Sequence, residues 1–178
     1  MNIGVMSDSH GNLPLLKKAG TMLRDTYHAE VIIHLGDDSI EAEVLKGRGC
    51  RVIEVPGVYE AAYEKSSIAN RRIVLFDGWR FLVTHTKTAH EHDLPGDINP
   101  HDAAKNREID AVLFGHTHIP GISEEEGIIF INPGHLKPDD KKGHPPSFAV
   151  VKTSERSLKA SLIDLEKGTV TAERVFTK

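Results

Sequence analysis

Six side chains of metal-liganding type stand just past the carboxyl ends of short apolar runs: Asp8, His10, Asp37, His85, His116 and His118. Carboxylate oxygen and imidazole nitrogen are the mixed donors that divalent transition cations accept, whereas calcium favours cages made of oxygen alone. In Gly115-His116-Thr117-His118, alternate residues of an extended segment point to one side, so two imidazoles can be presented together. The donors come from separate stretches of chain, yet each follows a predicted strand. In open α/β sheets that edge is where ligands bind. A candidate centre of two carboxylates and four imidazoles follows from type and spacing.

The elements that must deliver these donors can be traced along the chain. Residues 3–6 read as a buried strand ending in the polar cluster 7–12. Asn12 is placed to cap a helix and Pro14 to occupy its first turn, where a missing N–H costs nothing. Leu15, Leu16, Ala19, Met22 and Leu23 then recur at helical spacing. Residues 31–35 form a second strand stopped at Gly36-Asp37-Asp38, and a short helix over 40–46 leads to a third strand, 51–55, broken by Pro56-Gly57. This is the βαβ pattern of a parallel sheet. Strands at 72–76 and 79–84 flank Asp77-Gly78, a strong hairpin signal. Residues 86–100 lack periodicity and have the length of a functional lid. A short helix at 103–107 and a buried strand at 111–114 follow. Strands at 127–131, 147–152, 158–165 and 169–176 read as antiparallel, the last two joined at Lys167-Gly168. The expectation is one α/β domain over 1–178 with two sheets, parallel in the first half and antiparallel later.

Composition narrows the class. The 178 residues are 39% hydrophobic and 27% charged, an ordinary globular balance with enough chain to bury a core. A formal charge of -4 argues against electrostatic binding to duplex DNA or anionic membranes. One cysteine, Cys50, excludes an internal disulfide framework and suits a reducing, cytoplasmic setting. Eleven histidines are the compositional oddity. Of those outside the six donors, His28 and His34 read as structural and His101 as part of a helix start. Trp79 reads as a sheet-packing aromatic.

The ordered set Asp8-x-His10, Gly36-Asp37, Thr84-His85 and Gly115-His116-x-His118 resembles the calcineurin-like metallophosphoesterase superfamily. With Asn132-Pro133-Gly134 late in a short chain, it is most similar to the compact bacterial and archaeal phosphodiesterase branch. The resemblance runs from Met1 to about Val151. It implies a four-layer α/β/β/α sandwich of two mixed sheets flanked by helices. It also implies that Asp8, His10, Asp37 and His118 hold one divalent cation, with His85 and His116 holding a second and Asp37 bridging. Two cations about 3.5–4 Å apart can clamp the attacking and leaving oxygens of an in-line displacement at phosphorus. The donor set suits manganese above zinc, iron, nickel or magnesium. The implied substrate is a small phosphate ester, with no nucleic-acid groove and no membrane partner; a homo-oligomer is compatible with the sequence.

One motif departs from the family. Where relatives carry Gly-Asn-His followed by an acid, this chain reads Gly57-Val58-Tyr59-Glu60. Valine cannot replace the Asn oxygen at the second cation. Tyr59 can donate a hydrogen bond, but with an ordinary pKa near 10 it is a poor acid at neutral pH. Water, Asp38, or His90 and His92 of the 86–100 loop are the candidates to fill the gap, although that histidine-rich stretch reads foremost as a solvated surface loop. His135 reads as structural, with contact to a bound phosphate as the alternative. The leading expectation is a metal-dependent phosphodiesterase of reduced activity, with Asp37, His85 and Tyr59 as catalytic candidates. A scaffold with a partly vestigial centre is the rival, for which a retromer subunit of this fold is a family precedent. A one-metal binding protein is a third reading.

Overall fold

The computed structural model describes residues 1–47, 49–65 and 67–178. Alternation along the strands builds it. In β1 (Asn2–Met6) and β2 (Val31–His34), Ile3, Val5, Val31 and Ile33 face one way, while Met6 and Ile32 face the other. The first set meets Trp79, Phe81, Val83, Ala111, Leu113, Ile129 and Ile131 of a second sheet, forming the main core between the two layers. Each such side chain, fully buried, contributes about 1.5–3 kcal/mol.

Among the described residues the first sheet has the order β11-β10-β9-β1-β2-β3 and the second β4-β5-β6-β8-β7. Their remaining strands are β3 (Arg51–Glu54), β4 (Arg71–Phe76), β5 (Trp79–Thr84), β6 (Ala111–Leu113), β7 (Gly121–Glu125), β8 (Ile128–Asn132), β9 (Ser147–Thr153), β10 (Ser157–Asp164) and β11 (Val170–Thr177). The strands β1, β2 and β3 run parallel, as do β5, β6 and β8. The second sheet therefore has a parallel centre with antiparallel edges, which corrects the expectation of antiparallel pairing throughout the later half. Helix α1 (Leu13–Asp25) covers the outer face of the first sheet through Leu16, Ala19 and Leu23. The Asn12 side chain accepts from Leu15 N at its start. Helix α2 (Pro100–Lys105) covers the outer face of the second sheet through Ala103, against Leu82 and Val112. The four layers match the expected sandwich.

Three local readings are corrected. The short helix after β2 is a 3-10 helix, Ser39–Leu45. Helix α2 begins three residues earlier than expected because Asn99 caps it, accepting from His101 N and Asp102 N. Strand β7 escaped notice because its Ser-Glu-Glu run is polar; it is an edge strand, where charge blocks further pairing. The hairpin at Asp77-Gly78 forms as expected, both residues having positive φ.

His34, the last residue of β2, has no exposed surface. Its Nδ1 accepts from Gly36 N at 3.3 Å, and its Nε2 lies 3.4 Å from Ser9 Oγ. Burial pushes its pKa from 6.5 down to about 4. Between those values the unfolded chain binds the extra proton, so stability rises with pH across the window, by about 3 kcal/mol in full. Urea unfolding with chelator present is expected to show that rise, and His34→Gln to flatten it. An unchanged slope in the variant would mean that the imidazole is not buried neutral.

Candidate metal centre

The carboxyl ends of β1, β2 and β3 in one sheet and of β5, β6 and β8 in the other reach the same edge. Asp8 follows β1, Asp37 follows β2, His85 follows β5 directly, and His116 and His118 follow β6. Cross-sheet hydrogen bonds lock this edge: His116 N donates to Asp8 Oδ2 at 3.1 Å, and His85 Nδ1 meets Leu35 O at 2.7 Å. Asn132 steadies the β6 loop, its Nδ2 donating to Gly115 O and Thr117 Oγ1. Two glycines permit the approach. A Cβ at Gly115 would overlap Ser7 Oγ and stand 2.6 Å from Asp8 Oδ2; one at Gly57 would overlap the Asp37 carboxylate and stand 2.7 Å from its backbone nitrogen.

All six predicted donors are brought together. His10 Nε2 is 3.0 Å from His118 Nε2 and 3.4 Å from Asp37 Oδ2, and His118 Nε2 is 3.3 Å from Asp8 Oδ1. On the other side, His85 Nε2 is 3.4 Å from Asp37 Oδ1 and 3.2 Å from His116 Nδ1. Donor atoms placed 2.0–2.2 Å from one cation stand about 3.0–3.5 Å apart. Every one of these spacings fits. Donor atoms of Asp8, His10, Asp37 and His118 lie within 4.8 Å of one another as a group. Asp37 turns one oxygen to each cluster.

The backbone and the charges of the centre are both unusual. Asp8, His10, Asp37, His116 and His118 all have φ between 45° and 65°, a left-handed conformation that costs non-glycine residues energy and collects at functional sites. Asp8 is fully buried, yet its Oδ1 has no hydrogen-bond partner. An orphaned carboxylate oxygen in a dry site is destabilising unless a cation meets it. Burial works against the charge on Asp8, but His118, His85 and the Ser7 hydroxyl hold its carboxyl below the usual range. Burial pushes Asp37 up, the negative charge of Asp8 adding to it while His85 opposes it. Burial also holds His116 below the ordinary histidine value. The His85 Nδ1–H is committed to Leu35 O, so its Nε2 presents a lone pair to the centre. These features fit a divalent cation.

The departing motif is well braced. Glu60 accepts from Gly57 N, Ser39 N and Ser39 Oγ, tying the β3 loop to the 3-10 helix. Val58 is buried, whereas Tyr59 is 69% exposed. The Tyr59 ring stands edge-on to His90 and His92 and tilted toward His116, with centroids 6.2 Å apart in the last pair. His92 Nδ1 donates to Val58 O at 3.0 Å. The 86–100 loop is thus more than a solvated strap. Arg71, with a side chain 1% exposed, holds Asp93 and bonds Thr84, Thr86, Thr88 O and Ile98 O, while Asp93 accepts from Tyr63 OH and His90 N.

Both ring nitrogens of His135 are committed within the chain, in keeping with its structural reading. His135 is fully buried, its Nδ1 accepting from Lys137 N and its Nε2 donating to His144 O. Sequence reasoning overlooked Asp140, whose Oδ1 meets His118 Nδ1 at 2.8 Å. Burial opposes its charge, but His118 and Lys142 N hold its pKa down at about 2. Nothing in the sequence around Asp139-Asp140 marks it.

Comparison with known proteins converges on one group. Residues 1–156 match the family described as the calcineurin-like phosphoesterase superfamily domain. A phosphodiesterase of Methanocaldococcus jannaschii is 29% identical over 150 residues, covering 75% of this chain and 83% of that protein. The solved structure of Yfce, a phosphoesterase from E. coli, superposes with a TM-score of 0.69 at 23% identity, covering 98% of both chains. That of Vps29 from Chaetomium thermophilum gives 0.73 at 19% identity, covering 100% of this chain and 95% of the other.

Gly57→Ala is expected to displace the Asp37 carboxylate and to destabilise the fold by about 1–3 kcal/mol through overpacking. Gly96→Ala, where a Cβ meets nothing within 4 Å, is the control and should be near neutral. Denaturant unfolding of the two variants checks the difference; equal stability would mean that the edge is looser than described.

Proposed function

The chain belongs to the calcineurin-like phosphoesterase superfamily, and from that premise we propose that it is a metal-dependent phosphodiesterase of small substrates. The carrying observation is Asp37, which offers Oδ2 to the His10 cluster and Oδ1 to the His85 cluster, both at 3.4 Å. Asp8, His10, Asp37 and His118 would hold one divalent cation; Asp37, His85 and His116 would hold a second. Metal bound there would lower the pKa of water to give a nucleophile near neutral pH and would offer positive charge to the phosphate. Manganese is the favoured ion for this mixed shell.

The chain's own residues do the rest. Asp37 would supply negative charge between the two clusters, offsetting the repulsion of cations held there. His85 is held by Leu35 O with its lone pair forward, and His116 is fixed through its backbone to Asp8. Tyr59, exposed beside His116, offers a hydroxyl to a phosphate oxygen or to the leaving oxygen. The net charge of -4 supports a small ester over a polynucleotide, and the lone cysteine supports a cytoplasmic setting. No described helix is long and apolar enough to cross a membrane.

A scaffold reading has two observations in its favour: Val58 stands where the family resemblance places a liganding Asn, and the fold superposes on Vps29. Metal analysis with a generic activated phosphodiester and added manganese separates the two. Filled sites with turnover support the enzyme, and a vacant second site without turnover supports the scaffold. Asp37→Ala is expected to abolish hydrolysis and lower bound metal. Val58→Asn is expected to reduce the manganese required for half-maximal rate about tenfold, equivalent to about 1.4 kcal/mol. If Val58→Asn changes neither metal affinity nor rate, another group already completes the second site or the scaffold reading holds.

A further inference from the structure

His118 Nδ1 and Asp140 Oδ1 are 2.8 Å apart, and the Asp140 side chain is only 5% exposed. The carboxylate reaches this place from a segment remote from the His118 loop. That segment is pinned in turn. His135 bonds Lys137 N and His144 O across it, its ring centroid 5.4 Å from that of His118. Lys142 N donates to Asp140 Oδ2 at 2.8 Å, and Leu136 N donates to Asp8 O at 3.1 Å. Both ends of the arrangement are therefore tied to the same edge of the sheet.

From this geometry we infer that Asp140 is a positioning residue of the metal centre. Its carboxylate accepts the Nδ1–H of His118, fixes that tautomer, and leaves the Nε2 lone pair facing Asp8 Oδ1 and His10 Nε2. Without it, an imidazole carrying its proton on Nε2 would turn a hydrogen, instead of a lone pair, toward the cation position. A carboxylate behind a liganding imidazole also raises the basicity of the ring, and loss of such a partner costs 10- to 100-fold in metal affinity or activity. His135 acts one step further back: buried with both nitrogens committed, it shapes the loop that carries Asp140. The inference rests on the reading of Asp8, His10, Asp37 and His118 as one cation site.

Two measurements test it independently. In chelated, unmodified protein carrying 15N-histidine, at a pH where the imidazole is neutral, long-range nitrogen–proton NMR is expected to show His118 with its proton on Nδ1. A proton on Nε2 overturns the proposal, without any variant having to fold. Calorimetric titration with manganese is expected to show Asp140→Ala weaker than the unmodified protein by tenfold or more at the tighter site. Asp140→Asn, which keeps an acceptor oxygen without the charge, should fall between. Equal affinity in all three overturns the positioning role. If the unmodified protein binds no manganese, the cation-site reading fails, and the tautomer alone then decides what Asp140 does.

Discussion

A carboxylate taken out of water and given too few donors constrains everything around it. Asp8 has no exposed surface, receives one backbone N–H at Oδ2, and leaves Oδ1 without a hydrogen-bond partner. Burying such a charge alone costs several kcal/mol even after the surroundings relax. The chain meets this by crowding imidazoles around it, which hold the Asp8 carboxyl below the usual range, beside the carboxylate of Asp37, which burial and Asp8 push up. The fold must hold two close carboxylates and four imidazoles in one place. It does so with backbone hydrogen bonds between two sheets, with glycines that remove side chains at the contact, and with donor residues kept in left-handed conformations.

Much of this was legible in the sequence, and the reason is geometric. A parallel strand reads as a short apolar run, and the residue after it lands on the ligand edge, so Asp8, Asp37, His85, His116 and His118 could be located from run endings alone. The hairpin at Asp77-Gly78 and the Asn12 cap were legible because local backbone chemistry decides them. What escaped depends on distant parts of the chain. Strand β7 is polar because it is an edge, so no hydrophobic period announces it. The parallel centre of the second sheet is set by crossovers that local pattern does not encode. Asp140 reaches His118 across 22 residues, and His135 is occupied by a loop whose path no motif describes.

The loop after β5 shows how a long irregular segment acquires a shape. Its length and polarity suggested a strap open to solvent. Arg71, buried beneath it, gathers Asp93 and four further oxygens from Thr84 to Ile98. A buried guanidinium is costly unless its donors are matched, and here the loop supplies the match. Tyr63 completes the knot through Asp93. The result places the His90 ring within 6.0 Å of the His116 ring. Order in this segment comes from one arginine of the neighbouring strand, β4, and not from any period of its own.

The β3 loop divides its labour between neighbouring residues. Gly57 and Glu60 give it a frame: one makes room for Asp37, and the other gathers Ser39 and the Gly57 amide. Val58 and Tyr59, between them, decide what the frame presents. Because the frame's bonds run through backbone amides and the Glu60 carboxylate, the exposed Tyr59 side chain can vary without unfastening it, while Val58 packs inward. Such a loop behaves as a socket with exchangeable contacts. The group presented beside His116 can then change at one exposed position while the sheets beneath keep their register.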